Sequence, residues 1–210
     1  MAGKRGRAGD GSSTPRRGMV TSAGDPEMDR KGERRFSRFA AGRLVSDGYW
    51  PLPEDGLCLS SFLVLSPTGR HQEVLVGRID PGGPWNQIGA MDPERVRRNS
   101  EGWMLPSCHL RYFESPDRAA RRILEEQLGL DSVPLDRPLV ISEVYRPKRH
   151  PERGLHWDLE FLYRGTLPTV SPPRHPAWRE LRFVDPSATP RESFTRSHDE
   201  VLELAGFRFS

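Results

Sequence analysis

The sequence predicts an α/β domain, a mixed β-sheet sandwiched between helices (α/β/α), behind a disordered N-terminal tail. Three observations predict it. Short runs rich in β-branched and aliphatic residues recur at 57–65, 73–79, 139–145, 156–167 and 178–184, each bounded by turn residues. Two segments with helical period, 115–128 and 197–205, interrupt and close that series. The resulting order of two strands, helix, several strands and helix suits a sheet whose two faces are both covered.

The tail is legible in composition. Residues 1–38 mix Gly, Ser, Arg and Lys with almost no apolar run, as in Lys4-Arg5-Gly6-Arg7, so they cannot bury enough surface to offset the entropy of ordering. They hold 10 Lys/Arg against 5 Asp/Glu, leaving 22 against 24 for residues 39–210. The net charge of +3 is therefore a property of the tail. It allows non-specific nucleic-acid contact through that segment and does not mark the domain as a nucleic-acid binder.

The elements follow in order. Tyr49-Trp50-Pro51-Leu52-Pro53 is an extended lead-in to the strand Leu57–Leu65, which Pro67-Thr68-Gly69 ends. Glu73–Ile79 reads as its hairpin partner. Asp80 to Gly102 is a long Gly/Pro-rich loop containing Trp85, with one short helix after Asp92-Pro93. Ser115-Pro116-Asp117 starts a helix with Ser as its cap and Pro in its first turn, and Gly129 closes it. Ala120, Leu124 and Leu128 form its apolar stripe. Leu139–Tyr145 is a strand. His156–Leu167 is another, with Trp157, Leu159, Phe161 and Tyr163 alternating against Asp158, Glu160 and Arg164. Trp178–Val184 is a further strand and Ser197–Ala205 a last helix.

Two cysteines, Cys58 and Cys108, are too few for a disulfide framework and lack the CxxC spacing of a zinc site, and none of the six histidines has a ligand spacing. No stretch approaches the roughly 20 apolar residues of a membrane span. A soluble, cytoplasmic protein without membrane contact is expected.

The chemistry concentrates at 102–130. Trp103, Leu105-Pro106, Glu114, Ala119-Ala120, Arg122, Leu124, Glu126, Gly129 and Leu130 fall at fixed spacings that resemble the box of the Nudix hydrolase superfamily, G-x5-E-x7-R-E-U-x-E-E-x-G-U with U aliphatic. The resemblance extends over about residues 45–207. It implies a Nudix-like domain in which Glu126, Arg122 and Glu114 serve catalysis. It also implies Mg²⁺ or Mn²⁺ held by Glu126, Gln127, Glu160 and the backbone carbonyl of Cys108, with Asp158 beside Glu160 on one strand face. Physically, positions 123, 126 and 127 share one side of a helix, where carboxylates would concentrate charge for a hard cation.

Three box positions depart from the pattern. The box glycine is Cys108, the first helix Glu is Ile123, and the second of the Glu pair is Gln127. Each retained residue also has a plain role: Arg122 and Glu126 suit an i,i+4 ion pair, and Glu114 complements the helix dipole. The resemblance thus implies a divalent-metal-dependent pyrophosphohydrolase for a nucleoside diphosphate linked to another moiety, with activity weakened by the eroded box. The other expectation is a non-catalytic module that binds a nucleotide or nucleotide-sugar. Either way the partner is a small-molecule nucleotide derivative, and Trp85 or Trp157 is a candidate to stack on its base. The sequence leaves the oligomeric state open.

Overall fold

The computed structural model describes residues 38–39 and 56–209, apart from 90, 112, 146–155 and 170. Apart from Arg38, which lies in β1, the expected tail and the Tyr49–Pro53 lead-in lie outside the described residues. The strands are β1 (Arg38–Phe39), β2 (Gly56–Pro67), β3 (Val74–Ile79), β4 (Ser107–His109), β5 (Leu139–Tyr145), β6 (His156–Leu167) and β7 (Trp178–Val184). The helices are α1 (Trp85–Ile88), α2 (Pro93–Asn99), α3 (Pro116–Leu128) and α4 (His198–Leu204). No helix among the described residues is long and apolar enough to cross a membrane.

The larger sheet runs β1-β2-β6-β5, with β4 also on β2. It is mixed: β2 and β6 pair in parallel along their full lengths, and the other pairs are antiparallel. Side-chain alternation sorts its residues onto two faces. Phe62, Val64, Leu162 and Ile141 pack with Val201 and Leu202 of α4, while Leu63, Leu65 and Tyr163 pack with Ala119, Ala120, Ile123, Leu124 and Leu128 of α3. This is the α/β/α sandwich expected from the element order.

The expected hairpin between the first two long strands does not form. β3 pairs instead with β7 in a separate two-stranded sheet. The reason is edge occupancy: β6 takes one edge of β2 throughout, and β1 and β4 take the other. β3 still serves both cores, since Val74 and Val76 join the α4 side and Leu75 the α3 side. Gly77 is required where it stands, because a Cβ there would meet the Trp178 ring at 2.2 Å. Its backbone exchanges hydrogen bonds with Met104 at 2.9 and 3.0 Å, which fastens the approach to the box onto β3.

The 80–102 excursion is more structured than its composition suggests. It holds two helices, and Trp85 is not a surface residue: it lies fully buried, edge-to-face with Trp178 at 4.8 Å, its Nε1–H donating to the Ala177 carbonyl at 2.7 Å. Asp92 caps α2 by accepting from the Arg95 amide.

α3 forms where its signals place it. The Ser115 side chain accepts from the Arg118 amide, Pro116 opens the first turn, and Gly129 closes the helix at φ 63°. The Gly129 and Leu130 amides return to the Glu125 and Leu124 carbonyls, satisfying groups that the helix end leaves open. Tyr163 Oη–H donates to Asp117 at 2.5 Å and ties the helix start to β6. The stripe Ala120, Leu124 and Leu128 is buried as the period requires. Leu124→Ala is therefore expected to cost about 2–5 kcal/mol in urea unfolding; a loss below about 0.5 kcal/mol would contradict this packing.

Candidate functional site

The box begins on β4, whose register Ser61↔Cys108 and Ser60↔His109 sends neighbouring residues to opposite faces. Cys108 enters the α3-side cluster. Its Sγ accepts from Arg122 Nη2 at 3.1 Å, and burial pushes the thiol up to about 12, which makes it a poor nucleophile. His109 faces away, with Nδ1 3.2 Å from Ser60 Oγ.

Glu114, Arg122 and Glu126 are brought together as a charge network around Arg111. Arg122 grips Glu114 in a fork, Nε–Oε1 and Nη2–Oε2 both at 2.7 Å, and the Arg111 amide adds a bond of 2.7 Å to Glu114. Burial opposes the Glu114 charge, but the Arg122 bonds and that amide hold its carboxyl below the usual range. Arg122 also donates to the His109 carbonyl at 3.1 Å, so the pair braces the loop between β4 and α3. The expected i,i+4 partner of Arg122 is secondary, with Nη1 3.6 Å from Glu126 Oε2. The main partner of Glu126 is Arg111, whose Nη2 reaches both carboxylate oxygens at 2.8 and 2.7 Å.

Gln127 and Ile123 point into the interior. The Gln127 side chain is fully buried, accepting from the Ser107 amide at 3.2 Å and donating to the carbonyls of Ser107 at 2.8 Å and Ile88 at 3.3 Å. It clamps β4 and α1 onto α3. Ile123 lies wholly within the apolar α3 cluster. Tested against Mg²⁺ or Mn²⁺, which take oxygen ligands, this donor set does not fit: position 123 has no oxygen, the Gln127 amide is engaged on both ends, and a guanidinium spans Glu126.

Asp158 and Glu160 are not brought to Glu126. The alternation of β6 places them with Leu162, on the α4 face, whereas α3 packs on the other face with Tyr163. There they join a polar floor that spans three strands. One row reads Glu143, Asp158, Cys58 and the next Ile141, Glu160, Ser60, with His109 beyond Ser60. His156 stands two residues before Asp158 on the same face, its Nε2 2.9 Å from Asp158 Oδ1. Hydrogen bonding to Asp158, and then to Cys58, pushes the imidazole up to about 10. Burial, with Asp158 and Glu143 nearby, pushes the Glu160 carboxyl up to about 8. Arg196, half-buried and in the left-handed region at φ 58°, pulls the other way on Glu160. Trp157 is half-buried, its indole N–H donating to Ser142 Oγ at 2.9 Å.

Cys58 and His156 are the residues that sequence reasoning missed. Their only local signal was the His-x-Asp spacing on a strand; Cys58 joins them through a pairing across about a hundred residues of chain.

No family model and no curated protein matches the chain. Solved structures do resemble it. The dihydroneopterin triphosphate pyrophosphohydrolase of E. coli is 14% identical, over 70% of this chain and 95% of that one, with a TM-score of 0.45. The MutT NUDIX hydrolase from Burkholderia pseudomallei is 17% identical, over 70% and 96%, at 0.45. The NUDIX domain of Shewanella oneidensis NrtR, in complex with ADP ribose, is 14% identical, over 71% and 86%, at 0.45.

The two raised groups on the floor act on stability in the same direction. Folded Glu160 keeps a proton between about pH 4.5 and 8 that the unfolded chain has released, and His156 does so between about pH 6.5 and 10. The folded state binds more protons there, so the unfolding free energy falls as pH rises through these windows. In metal-free buffer the melting temperature is expected to decline from about pH 6.5 to 9; below that range His198, whose imidazole burial holds well under its usual value, offsets the Glu160 slope, because the unfolded chain there gains a proton that the folded state lacks. Glu160→Gln is expected to flatten the lower half of that curve and to melt above the parent at about pH 9. Parallel curves for the two proteins would show that Glu160 ionises normally.

Proposed function

We propose that this chain is a binding module on a Nudix-like fold which does not hydrolyse its ligand through the box. The observation that carries the reading is the Arg111 guanidinium spanning both oxygens of Glu126. The box position that would present a carboxylate to a dication presents an internal ion pair. The Glu114 carboxylate is likewise engaged, by Arg122 through a fork of two nitrogens. Such residues brace a loop, and neither Glu114 nor Glu126 is presented bare as a base or as a metal ligand.

The ligand class comes from the box resemblance: a nucleoside diphosphate linked to another moiety, or a nucleotide-sugar. Trp157, half-buried on β6, is the candidate to stack on its base, since Trp85 is engaged in the core. A reducing, cytoplasmic setting suits the two free thiols.

One observation favours the hydrolase reading instead. Glu143, Asp158 and Glu160 lie together on the α4 face, where a dication would relieve the repulsion that raises Glu160. A Mg²⁺- or Mn²⁺-dependent pyrophosphohydrolase working from that face would not need Glu126.

Calorimetric titration of the full chain with a panel of nucleoside diphosphate derivatives, with Mg²⁺ and with a chelator, separates these readings when the same samples are assayed for cleavage. Saturable binding that survives chelation, without cleavage, is expected. Mg²⁺-dependent cleavage abolished by Glu126→Gln would overturn the proposal, and cleavage lost on Glu160→Gln alone would favour the α4-face hydrolase. No binding across the panel would refute the ligand class. Arg111→Ala takes the closest guanidinium from Glu126 and is expected to lower the melting temperature, as removal of one partner of a partly buried ion pair does; an unchanged melt would show that this pair does not brace the loop.

A further inference from the structure

The sheet face away from α3 carries a second cluster that the box does not involve. Cys58 on β2 and Asp158 on β6 are direct partners in the parallel ladder, and His156 precedes Asp158 by two residues on the same face. One ligand atom from each of the three side chains lies within 4.8 Å of the other two. We propose that Cys58, His156 and Asp158 form a three-ligand site for a borderline transition-metal ion, Zn²⁺ or Co²⁺ in type.

The geometry suits such an ion. Bonds of about 2.0–2.3 Å in a tetrahedral site place neighbouring ligand atoms roughly 3.3–3.8 Å apart. Separations within 4.8 Å close to that arrangement by at most about 1–1.5 Å between a pair of atoms, within reach of side-chain rotation, and the 2.9 Å contact between His156 Nε2 and Asp158 would open as an ion replaced the hydrogen between them. The residue opposite His156 in the ladder is Gly56, which puts no side chain beside the imidazole.

The chemistry narrows the ion. A thiolate, an imidazole and a carboxylate together favour zinc-like ions over Mg²⁺ and Ca²⁺, which take oxygen. Cys58 is 6% and His156 7% exposed, so the sulfur is sheltered as a ligand and poorly placed as a nucleophile towards a bulky substrate. Three protein ligands leave the fourth tetrahedral position open, the pattern of zinc sites that take up water or a small ligand. Glu143, directly across β5 from Asp158, and Glu160, two residues further on, add negative charge around the site. Arg196 lies near enough to Asp158, Cys58 and Glu160 to offset part of it.

This inference is independent of whether the box hydrolyses or binds anything, because the two sites lie on opposite faces of the sheet. Its test uses the full chain after dialysis against a chelator. Co²⁺ is titrated in, watching for the visible bands of a tetrahedral ion and the near-ultraviolet thiolate-to-cobalt band, with Zn²⁺ added afterwards to displace it. One equivalent is expected to bind and to raise the melting temperature. Cys58→Ser is expected to lose the thiolate band while Cys108→Ser retains it. His156→Ala and Asp158→Asn are expected to weaken Co²⁺ binding by more than about 10-fold, the lower end of what even outer partners of a metal contribute. Far-ultraviolet circular dichroism and a cooperative melt check the fold of each variant. The near-isosteric Asp158→Asn serves if the others do not fold. Folded parent protein that shows no thiolate band and no thermal shift with either ion would overturn the site. So would a band that survives Cys58→Ser or vanishes in Cys108→Ser.

Discussion

The parallel ladder between β2 and β6 is the constraint on which the rest of the molecule depends. Parallel strands cannot be joined by a tight turn, so the chain must leave β2 and return to β6 after a long crossover. Everything between them, including the box and its helix, is that crossover. Because the ladder runs for the full length of both strands, β2 has no edge left for β3, which pairs with β7. The shared register also puts equivalent positions of the two strands on the same face. Apolar odd-numbered residues therefore gather under α3, while the even-numbered ones make an apolar floor beneath α4 that becomes polar towards the β2 start.

Against that frame the box segment acts as a brace. Gln127 holds the Ser107 backbone by both its polar atoms, Arg122 holds Glu114 and the His109 carbonyl, and Arg111 holds Glu126. Buried ion pairs of this kind contribute little net stability, since desolvation offsets attraction, yet removing one partner strands the other at a cost of about 3–5 kcal/mol. Such a network fixes a loop in one conformation.

The two faces also divide the electrostatics. On the α3 side Glu114 and Glu126 each have a guanidinium in contact, so that charge is met locally. On the α4 side Glu143, Asp158 and Glu160 share a small area with His156, Cys58 and a half-buried Arg196; burial and repulsion raise the Glu160 carboxyl, and hydrogen bonds to Asp158 and Cys58 raise the His156 imidazole. Clusters with such shifts are where proteins keep reactive or ligand-holding groups. Among the described residues β5 is an edge strand, with Val140 and Val144 exposed.

The elements themselves were legible in the sequence because their signals are local. The cap Ser115, Pro116 and the left-handed Gly129 delimit α3, and the limits of β5, β6 and β7 follow from alternation and turn residues that no distant contact overrides. The grouping of Glu114, Arg122 and Glu126 was also legible, since helical period and a short loop bring them together. Their partners were not: Arg111 takes Glu126 and Arg122 turns to Glu114 by loop geometry, which spacing does not encode. The pairing of β3 was decided by which edges of β2 remained free, a fact of the whole sheet. Glu160 was readable as a strand residue but not as one facing away from α3, because the face depends on how β6 docks. Cys58 meets His156 and Asp158 only through the parallel register, and a register across such a separation is set by the packing of both faces, so tertiary structure alone decided it.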